Sequence, residues 1–385
     1  MATAGLGEFS DFGGRIWLNA AHQGALPVPA AKEGYEAIEW KLSPSAMSQS
    51  RFDDVPEQLR SRLARLLGVA RDEVVLTNSA SYGLHLIANG YPWREGEEVL
   101  VMEGDFPSDI LPWLLAEKRH GIKVVRIRPR ERVVSPDELN AAITARTRLF
   151  CTTWVHSFSG YAIDVERVAE ICRGHGISFV LNASQALGAR QIDLSRTPVD
   201  ALISVGFKWL CGPYGTGLCW LRPAFMDRLR PQKAYWLAMQ TAADLGKEVV
   251  EAELKSGLGV KGFDIFGTAN FFNYKPWSAA LEHLLGIGLD TIGQHDKALV
   301  DRLLEGLDDR YIELLSPPAS DQRRSTLVFV SHRDRSRNRE IHQMLTAAGI
   351  DVAFRAGALR LSPHLYNDAS DIDRALSVLN EAAAA

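Results

Sequence analysis

Between about residue 70 and residue 221, short apolar runs alternate with stretches of helical period. The runs are Val74-Thr77, Glu98-Met102, Lys123-Arg128, Arg148-Thr153, Ile177-Asn182, Ala201-Val205 and Gly217-Leu221. Between them lie amphipathic segments such as Ser81-Asn89, Pro107-His120, Pro136-Ala145 and Asp164-His175. Runs rich in Val, Ile and Leu need cover on both faces. The pattern therefore predicts an α/β fold with a mostly parallel, seven-stranded sheet and helices on both sides. In such open sheets ligands collect beyond the carboxyl ends of the strands, where Asn182 and Lys208 fall.

After about residue 260 the pattern changes. A long helical stretch, Pro276-Leu307, contains the breakers Gly286 and Gly288. A strand at Thr326-Ser331, a helix near Asn338-Ala348, strands near Val352-Phe354 and Leu359-Ser362, and a helix from Ala369 follow. This predicts a smaller α+β C-terminal domain. The expected organisation is an N-terminal arm at residues 1–20 that packs with the small domain, a large domain at 21–260 and a small one at 261–385.

A net charge of −4 gives no electrostatic reason to expect nucleic acid or an anionic membrane as partner. No stretch approaches the roughly 20 apolar residues of a membrane helix, and residues 1–14 lack a signal-peptide pattern. The cysteines Cys151, Cys172, Cys211 and Cys219 form no C-x-x-C pair or Cys/His cluster, so no metal is expected. They read as buried thiols of a cytoplasmic protein. No G-x-G-x-x-G follows a predicted strand and no Walker-type loop occurs, which argues against a nicotinamide dehydrogenase.

Lys208 follows the apolar run Ala201-Leu-Ile203 inside Ser204-Val-Gly-Phe-Lys-Trp-Leu-Cys-Gly-Pro-Tyr-Gly-Thr-Gly217. A buried ammonium is costly, so such a lysine sheds its proton or forms a covalent bond. A neutral amine in an apolar pocket suits Schiff-base chemistry with an aldehyde. Taken alone, the spacing favours a lysine that snorkels to water; the upstream residues reverse that balance.

Seven segments in order resemble the class V aminotransferase and cysteine-desulfurase-like family of pyridoxal 5′-phosphate (PLP) enzymes, fold type I. They are Leu18-Asn-Ala-Ala-His-Gln-Gly24, Leu76-Thr-Asn-Ser-Ala-Ser-Tyr-Gly83, Asp105-Phe-Pro-Ser108, Leu181-Asn-Ala-Ser-Gln-Ala-Leu-Gly188, Gly206-Phe-Lys-Trp-Leu-Cys-Gly-Pro-Tyr-Gly-Thr-Gly217, Phe266-Gly-Thr268 and Arg360-Leu-Ser-Pro-His-Leu-Tyr-Asn367. The resemblance implies that Lys208 condenses with the cofactor aldehyde and later carries the Cα proton. It implies Ala80 and Ser81 at the phosphate, Phe106 stacked on the pyridine, and Gln185 and Ser157 at its phenolic oxygen. Asn182 then faces the ring nitrogen, and Arg360 grips the substrate carboxylate. Thr268 is expected to reach the phosphate of the other subunit of a homodimer. Read singly, Ser81 is equally a helix cap, Phe106 core, and Arg360 a surface residue. His22 borders the substrate in relatives and is a candidate general acid, or else a structural histidine. His156 and His364 are weaker candidates. Trp154, Trp209, Tyr235, Trp236 and Phe271 are expected to wall the pocket.

The chain departs from the family pattern in three places. Asn182 replaces the usual Asp, so no carboxylate is offered there to keep the ring nitrogen protonated. Val205 and Phe207 replace a Ser and a His often found before the lysine. Between Phe354 and Arg360 the chain reads Arg-Ala-Gly-Ala-Leu, without the desulfurases' persulfide-accepting cysteine. The expectation is a PLP-dependent β-lyase that cleaves a carbon–sulfur or carbon–selenium bond of an amino acid. The alternatives are an aminotransferase, and further an epimerase or a catalytically impaired PLP-binding protein.

Overall fold

The computed structural model describes residues 6–231, 234–249 and 253–385; residues 1–5 of the expected arm lie outside them. Thirteen strands are numbered in chain order. They are β1 Ile16–Trp17, β2 Val74–Thr77, β3 Glu98–Met102, β4 Lys123–Ile127, β5 Thr147–Thr153, β6 Ser178–Asn182, β7 Ala201–Val205, β8 Gly217–Leu221, β9 Ile312–Leu314, β10 Val328–His332, β11 Ile350–Asp351, β12 Ala353–Arg355 and β13 Ala358–Leu361.

The seven expected strands form one sheet in the order β2-β8-β7-β6-β5-β3-β4. Strands β3 to β7 run parallel, and β8 is antiparallel to both β7 and β2. Every residue of β2, β3, β6, β7 and β8 is buried, as their unbroken apolar runs require of a sheet covered on both faces. The register sets Thr153 beside Asn182 and Asn182 beside Ile203. The β5 and β6 ends therefore point at one crevice.

The covering helices start where local chemistry satisfies their first amides. Ser79 caps the helix Ala80–Gly90 by accepting from Tyr82 N–H, Asp164 caps Val165–Gly174, and Ser135 with Glu138 forms a capping box at Pro136–Ala142. The expected helix Pro107-His120 is split: a 3₁₀ turn, Pro107–Asp109, precedes the helix Leu111–His120. That turn aims Asp109 inward.

The second sheet is antiparallel, ordered β12-β13-β10-β9. β1 pairs in parallel with β11, and Asn19 bridges to Ser362, so the chain's first segment is stitched to its last third. The long helical stretch after Phe271 is two helices, Phe271–Ile287 and Leu289–Glu305, parted at Gly288 with φ 90°. The first packs on helices Val28–Leu42 and Gln49–Leu67. The sequence pattern did not single out those two N-terminal helices. The first leaves Tyr35, Ile38 and Leu42 exposed and so lacks a clean buried stripe.

β12 and β13 are joined by Ala356-Gly357, closed by the Arg355–Ala358 pair. Both turn residues have positive φ, 50° and 78°, the type I′ geometry that favours Asn-Gly. An L-alanine is strained there. Ala356→Asn is expected to raise unfolding stability by about 1 kcal/mol, read as a higher midpoint in urea at unchanged slope.

Candidate active site

A cavity of about 400 Å³ opens at the carboxyl ends of the central strands. Nine of the ten residues singled out from the sequence line it: His22, Ala80, Ser81, Phe106, Ser157, Asn182, Gln185, Lys208 and Arg360. Thr268 does not; it lines a separate cavity with Tyr235 and Asp264. No carboxylate stands among the residues lining the Lys208 cavity.

Lys208 follows β7 on a turn held in place by two close approaches. Gly24 N–H donates to Phe207 O at 2.8 Å, and a Cβ on Gly24 would lie 2.0 Å from the Lys208 carbonyl oxygen. Only glycine fits there. Among the described residues no hydrogen bond or ion pair involves the Lys208 amine. The rings of Phe106 and Phe207 lie at 5.8 and 6.0 Å. Burial, reinforced by Arg360 and only partly opposed by Asp109, lowers the amine's pKa to about 7. A pKa lowered this far leaves a neutral fraction of the amine near pH 7, the form that condenses with an aldehyde.

At one end of the cavity the chain turns from β2 into the helix Ala80–Gly90. The first amides of a helix lack intrahelical acceptors and carry the positive end of its dipole. Asn78, Ser79, Ala80 and Ser81 all face this space. The cap is Ser79, which frees the Ser81 hydroxyl to meet Ser108 Oγ at 3.0 Å. β8 comes so near that a Cβ on Gly217 would sit 2.7 Å from Ser79 N. The arrangement suits a phosphate.

Asn182 ends β6, and each side of its amide is engaged. Its Oδ1 accepts from Ser184 N (3.0 Å) and Ser184 Oγ (2.6 Å), while its Nδ2 donates to Asp109 Oδ1 (2.9 Å) and Oδ2 (3.1 Å). Asp109 is fully buried, and burial followed by the neighbouring Asp105 raises its pKa well above its ordinary value. Asp105 itself accepts from Phe106 N, Thr152 Oγ1 and Thr153 N, which fixes the Phe106 loop to β5. Gln185 donates from Nε2 to Ala21 O at 3.0 Å and accepts from Trp209 Nε1 at 3.1 Å. One amide hydrogen is left for a ligand.

Arg360, on β13, is 3% exposed. Its Nη2 donates to Asn19 Oδ1 at 3.3 Å and its Nε has no partner. A buried guanidinium without a carboxylate is an incomplete ion pair. Burial and then Arg355, which also lines the cavity, lower its pKa to about 10. Partial burial and then the basic side chains Arg355, Arg360 and Lys208 lower the pKa of His22, which lines the same cavity.

His364 has a structural part. Its Nδ1 faces Asp296 Oδ2 (2.8 Å) and its Nε2 faces Trp209 O (3.1 Å). Both ring nitrogens meet acceptors, which demands an imidazolium. Burial alone would lower its pKa, but Asp296 outweighs that and raises it to about 10. The pair clamps the residue next to Lys208. His156 bonds Ser159 and Gly104 O outside the cavity. The expected aromatic walls differ as well. Trp154 and Trp209 are core residues, Phe271 packs on Trp40 and Phe52, Tyr235 borders the Thr268 cavity, and Trp236 is 52% exposed. The rings that line the cavity are Phe106, Phe158, Phe207 and Tyr214. Asp109, Thr153, Ser184 and Arg355 were missed from sequence. Asp109 lies one residue past the Asp105-Phe-Pro-Ser108 segment and directly before the apolar Ile110-Leu111, a signal for a buried carboxylate.

Residues 41–375 match the family model described as Aminotransferase class-V. The chain is 26% identical over 335 residues to isopenicillin N epimerase of Streptomyces clavuligerus, covering 84% of this chain and 83% of that protein. It is 24% identical over 347 residues to a probable cysteine desulfurase of Pyrococcus abyssi, covering 84% and 82%. A solved structure of C-DES with glycine covalently linked to its PLP cofactor superposes with a TM-score of 0.86 at 21% identity, covering 97% and 98%. The fold is that of the fold type I PLP enzymes. The chain belongs to the class V aminotransferase family and is a PLP-dependent enzyme.

The His364–Asp296 clamp has a pH signature. A pKa raised from 6.5 to about 10 contributes stability that is complete below pH 6.5 and lost as pH rises through about 10. Lys208, shifted down from 10.5 to about 7, contributes the opposite slope over the same range. Wild-type and Asp296→Asn proteins must therefore be compared at each pH. The substitution is expected to cost about 3 kcal/mol near pH 6, with the difference shrinking towards pH 10 in urea unfolding.

Proposed function

We propose that this enzyme is a β-lyase that cleaves a carbon–sulfur or carbon–selenium bond of an amino acid. The observation that carries the reading is a lysine amine with no hydrogen bond or ion pair among the described residues and a buried arginine whose Nε has no partner, both facing one cavity that has no carboxylate in its lining. The donor set fits PLP. The helix start at Ala80 and Ser81 would take the phosphate, and Phe106 would cover the ring. Asn182, Gln185 and Ser157 would meet its polar edge, with Lys208 holding its aldehyde carbon. When bound, PLP supplies the electron sink for charge developing at Cα.

The remaining work falls to the protein. Arg360 receives the substrate carboxylate, completing its guanidinium's ion pair and fixing the amino acid's orientation. The Lys208 amine takes the proton from Cα, and its lowered pKa matches that task near neutrality. Phe106, Phe158 and Phe207 keep the reacting centre apolar. Two features favour elimination without a protein-bound sulfur. The hairpin at Ala356-Gly357 is too tight to carry a nucleophile on a loop, and all four cysteines are buried. Burial raises the thiols of Cys151, Cys172 and Cys219, so they stay protonated. The names of the similar proteins, cysteine desulfurase and cystine C–S lyase, support the same bond as the target.

The reading includes a homodimer in which Thr268 of each subunit completes the other's phosphate site. Thr268 faces away from its own subunit's cavity, and the helix Val28–Leu42 exposes Tyr35, Ile38 and Leu42 as a face for a partner to cover. It also includes a cytoplasmic setting, where free thiols persist. Among the described residues no helix is long and apolar enough to cross a membrane.

Incubating the holoenzyme with cystine, selenocysteine and thioether amino acids should release a keto acid, ammonia and the sulfur or selenium product. Amino-group transfer to an added keto acid would favour the aminotransferase instead, and loss of optical rotation without cleavage the epimerase. Lys208→Ala is expected to lose the near-visible absorbance of the cofactor adduct and about 10²–10⁴-fold in turnover; peptide mapping after borohydride should find the wild-type adduct at residue 208. Arg360→Gln should raise KM about 10–100-fold, the loss of a charge-assisted hydrogen bond, with the adduct spectrum unchanged.

A further inference from the structure

Asn182 and Asp109 meet at the end of β6, and their bonding leaves one orientation for the Asn182 amide. Ser184 N–H lies 3.0 Å from Oδ1. A backbone N–H only donates, so the atom facing it must be the amide oxygen, and the flipped amide is excluded. The Ser184 hydroxyl, at 2.6 Å, takes the oxygen's second lone pair. Across the amide, Nδ2 sits 2.9 and 3.1 Å from the two oxygens of Asp109. The hydrogens of an NH₂ group diverge too widely for both to reach one carboxylate. One hydrogen is held by Asp109, and the other has no acceptor among the described residues on a side chain that lines the cavity. Asp109, Asn182 and Ser184 are 0%, 3% and 8% exposed, so water does not replace these partners freely.

We propose that Asp109 is a positioning residue for the cofactor: with Ser184 it locks the Asn182 amide as a pure hydrogen-bond donor, so that the cofactor's ring nitrogen is bound unprotonated. The inference rests on the PLP reading above. Oxygen and nitrogen of the amide are not interchangeable here, because its oxygen is saturated by Ser184. A donor aimed at the ring nitrogen needs a lone pair there, and a protonated nitrogen has none to give. The groups that face Asp109 are consistent with this division. Asp105 repels its charge, Lys208 attracts it and Asn182 donates to it. The buried carboxyl group of Asp109 stands behind the Asn182 amide, which lines the cavity while Asp109 does not.

The structure also says what restoring aspartate would do. In Asn182→Asp alone, two buried carboxyl groups would meet at the present 2.9–3.1 Å and would have to share a proton. Exchanging the pair, Asp109→Asn with Asn182→Asp, keeps one acid and one amide in contact but puts the acid beside the cavity.

The experiment is ¹⁵N NMR of holoenzyme reconstituted with PLP labelled at the ring nitrogen. The label reports pyridine against pyridinium directly, whatever the turnover. Wild type and Asp109→Asn, which retains an acceptor for Nδ2, are expected to show the neutral pyridine signal from pH 6 to 9. The exchanged double variant is expected to move to the pyridinium signal. Asp109→Leu removes the acceptor and should weaken PLP binding about tenfold by equilibrium dialysis, whereas Asp109→Asn should restore it to within about twofold. A pyridinium signal in the wild type overturns the proposal, as does a double variant that stays neutral or an Asp109→Leu protein that binds PLP as the wild type does. Should the label fail to bind Lys208 at all, the PLP reading falls, and that result is separate from any shift. Urea unfolding of each apoprotein distinguishes a folding defect from a change at the ring.

Discussion

Positive charge without its counter-charge is the constraint on which this site depends. Lys208 and Arg360 are brought together where burial lowers both pKa values, Arg360 adding to the effect on Lys208 and Arg355 to the effect on Arg360, and no carboxylate lines the cavity. A fold tolerates such an arrangement when a ligand completes it. An anionic cofactor at the helix start and an amino-acid carboxylate at Arg360 would do so. Burial, reinforced by Arg360, brings the pKa of the lysine amine down to about 7, where a reactive neutral fraction is available. The chemistry assigned to the protein follows from this electrostatic deficit.

The deficit is maintained by rigid supports at some distance. The seven-stranded sheet sets the depth of Asn182 and Lys208 through its register. The β1–β11 and Asn19–Ser362 pairings bring His22 and Arg360 to the same crevice from opposite ends of the chain. The buried His364–Asp296 pair holds the Trp209 carbonyl, and Gln185 ties Trp209 to Ala21. Each support uses a polar contact across segments far apart in sequence, so the site assembles only when the whole fold does.

What could be read from the sequence follows the range of the interaction. The strands of the large sheet were legible almost to the residue, because a strand covered on both faces writes its burial as a continuous apolar run. Nine cavity residues were legible because they lie in ordered segments resembling a family. The N-terminal helices were less legible, since the exposed Tyr35, Ile38 and Leu42 blur the amphipathic period of the first. The five aromatic walls were misplaced because composition cannot say which side of a strand end a ring occupies. Asp109 and Arg355 were missed for a related reason: their significance lies in contacts with Asn182 and Arg360, which sequence spacing does not encode. The lowered pKa of His22 likewise comes from burial and from basic side chains supplied by distant segments.

The most direct measurement is the titration of the Lys208 amine in the cofactor-free protein, by competitive labelling with an acylating reagent and mass spectrometry of the peptide that contains it. A half-maximal reactivity near pH 7, rising towards that of an ordinary lysine when Arg360 is replaced by glutamine, is the result expected of an amine held neutral by burial and its cationic neighbour. An amine that titrates near 10.5, unchanged in the Arg360→Gln protein, would contradict the account.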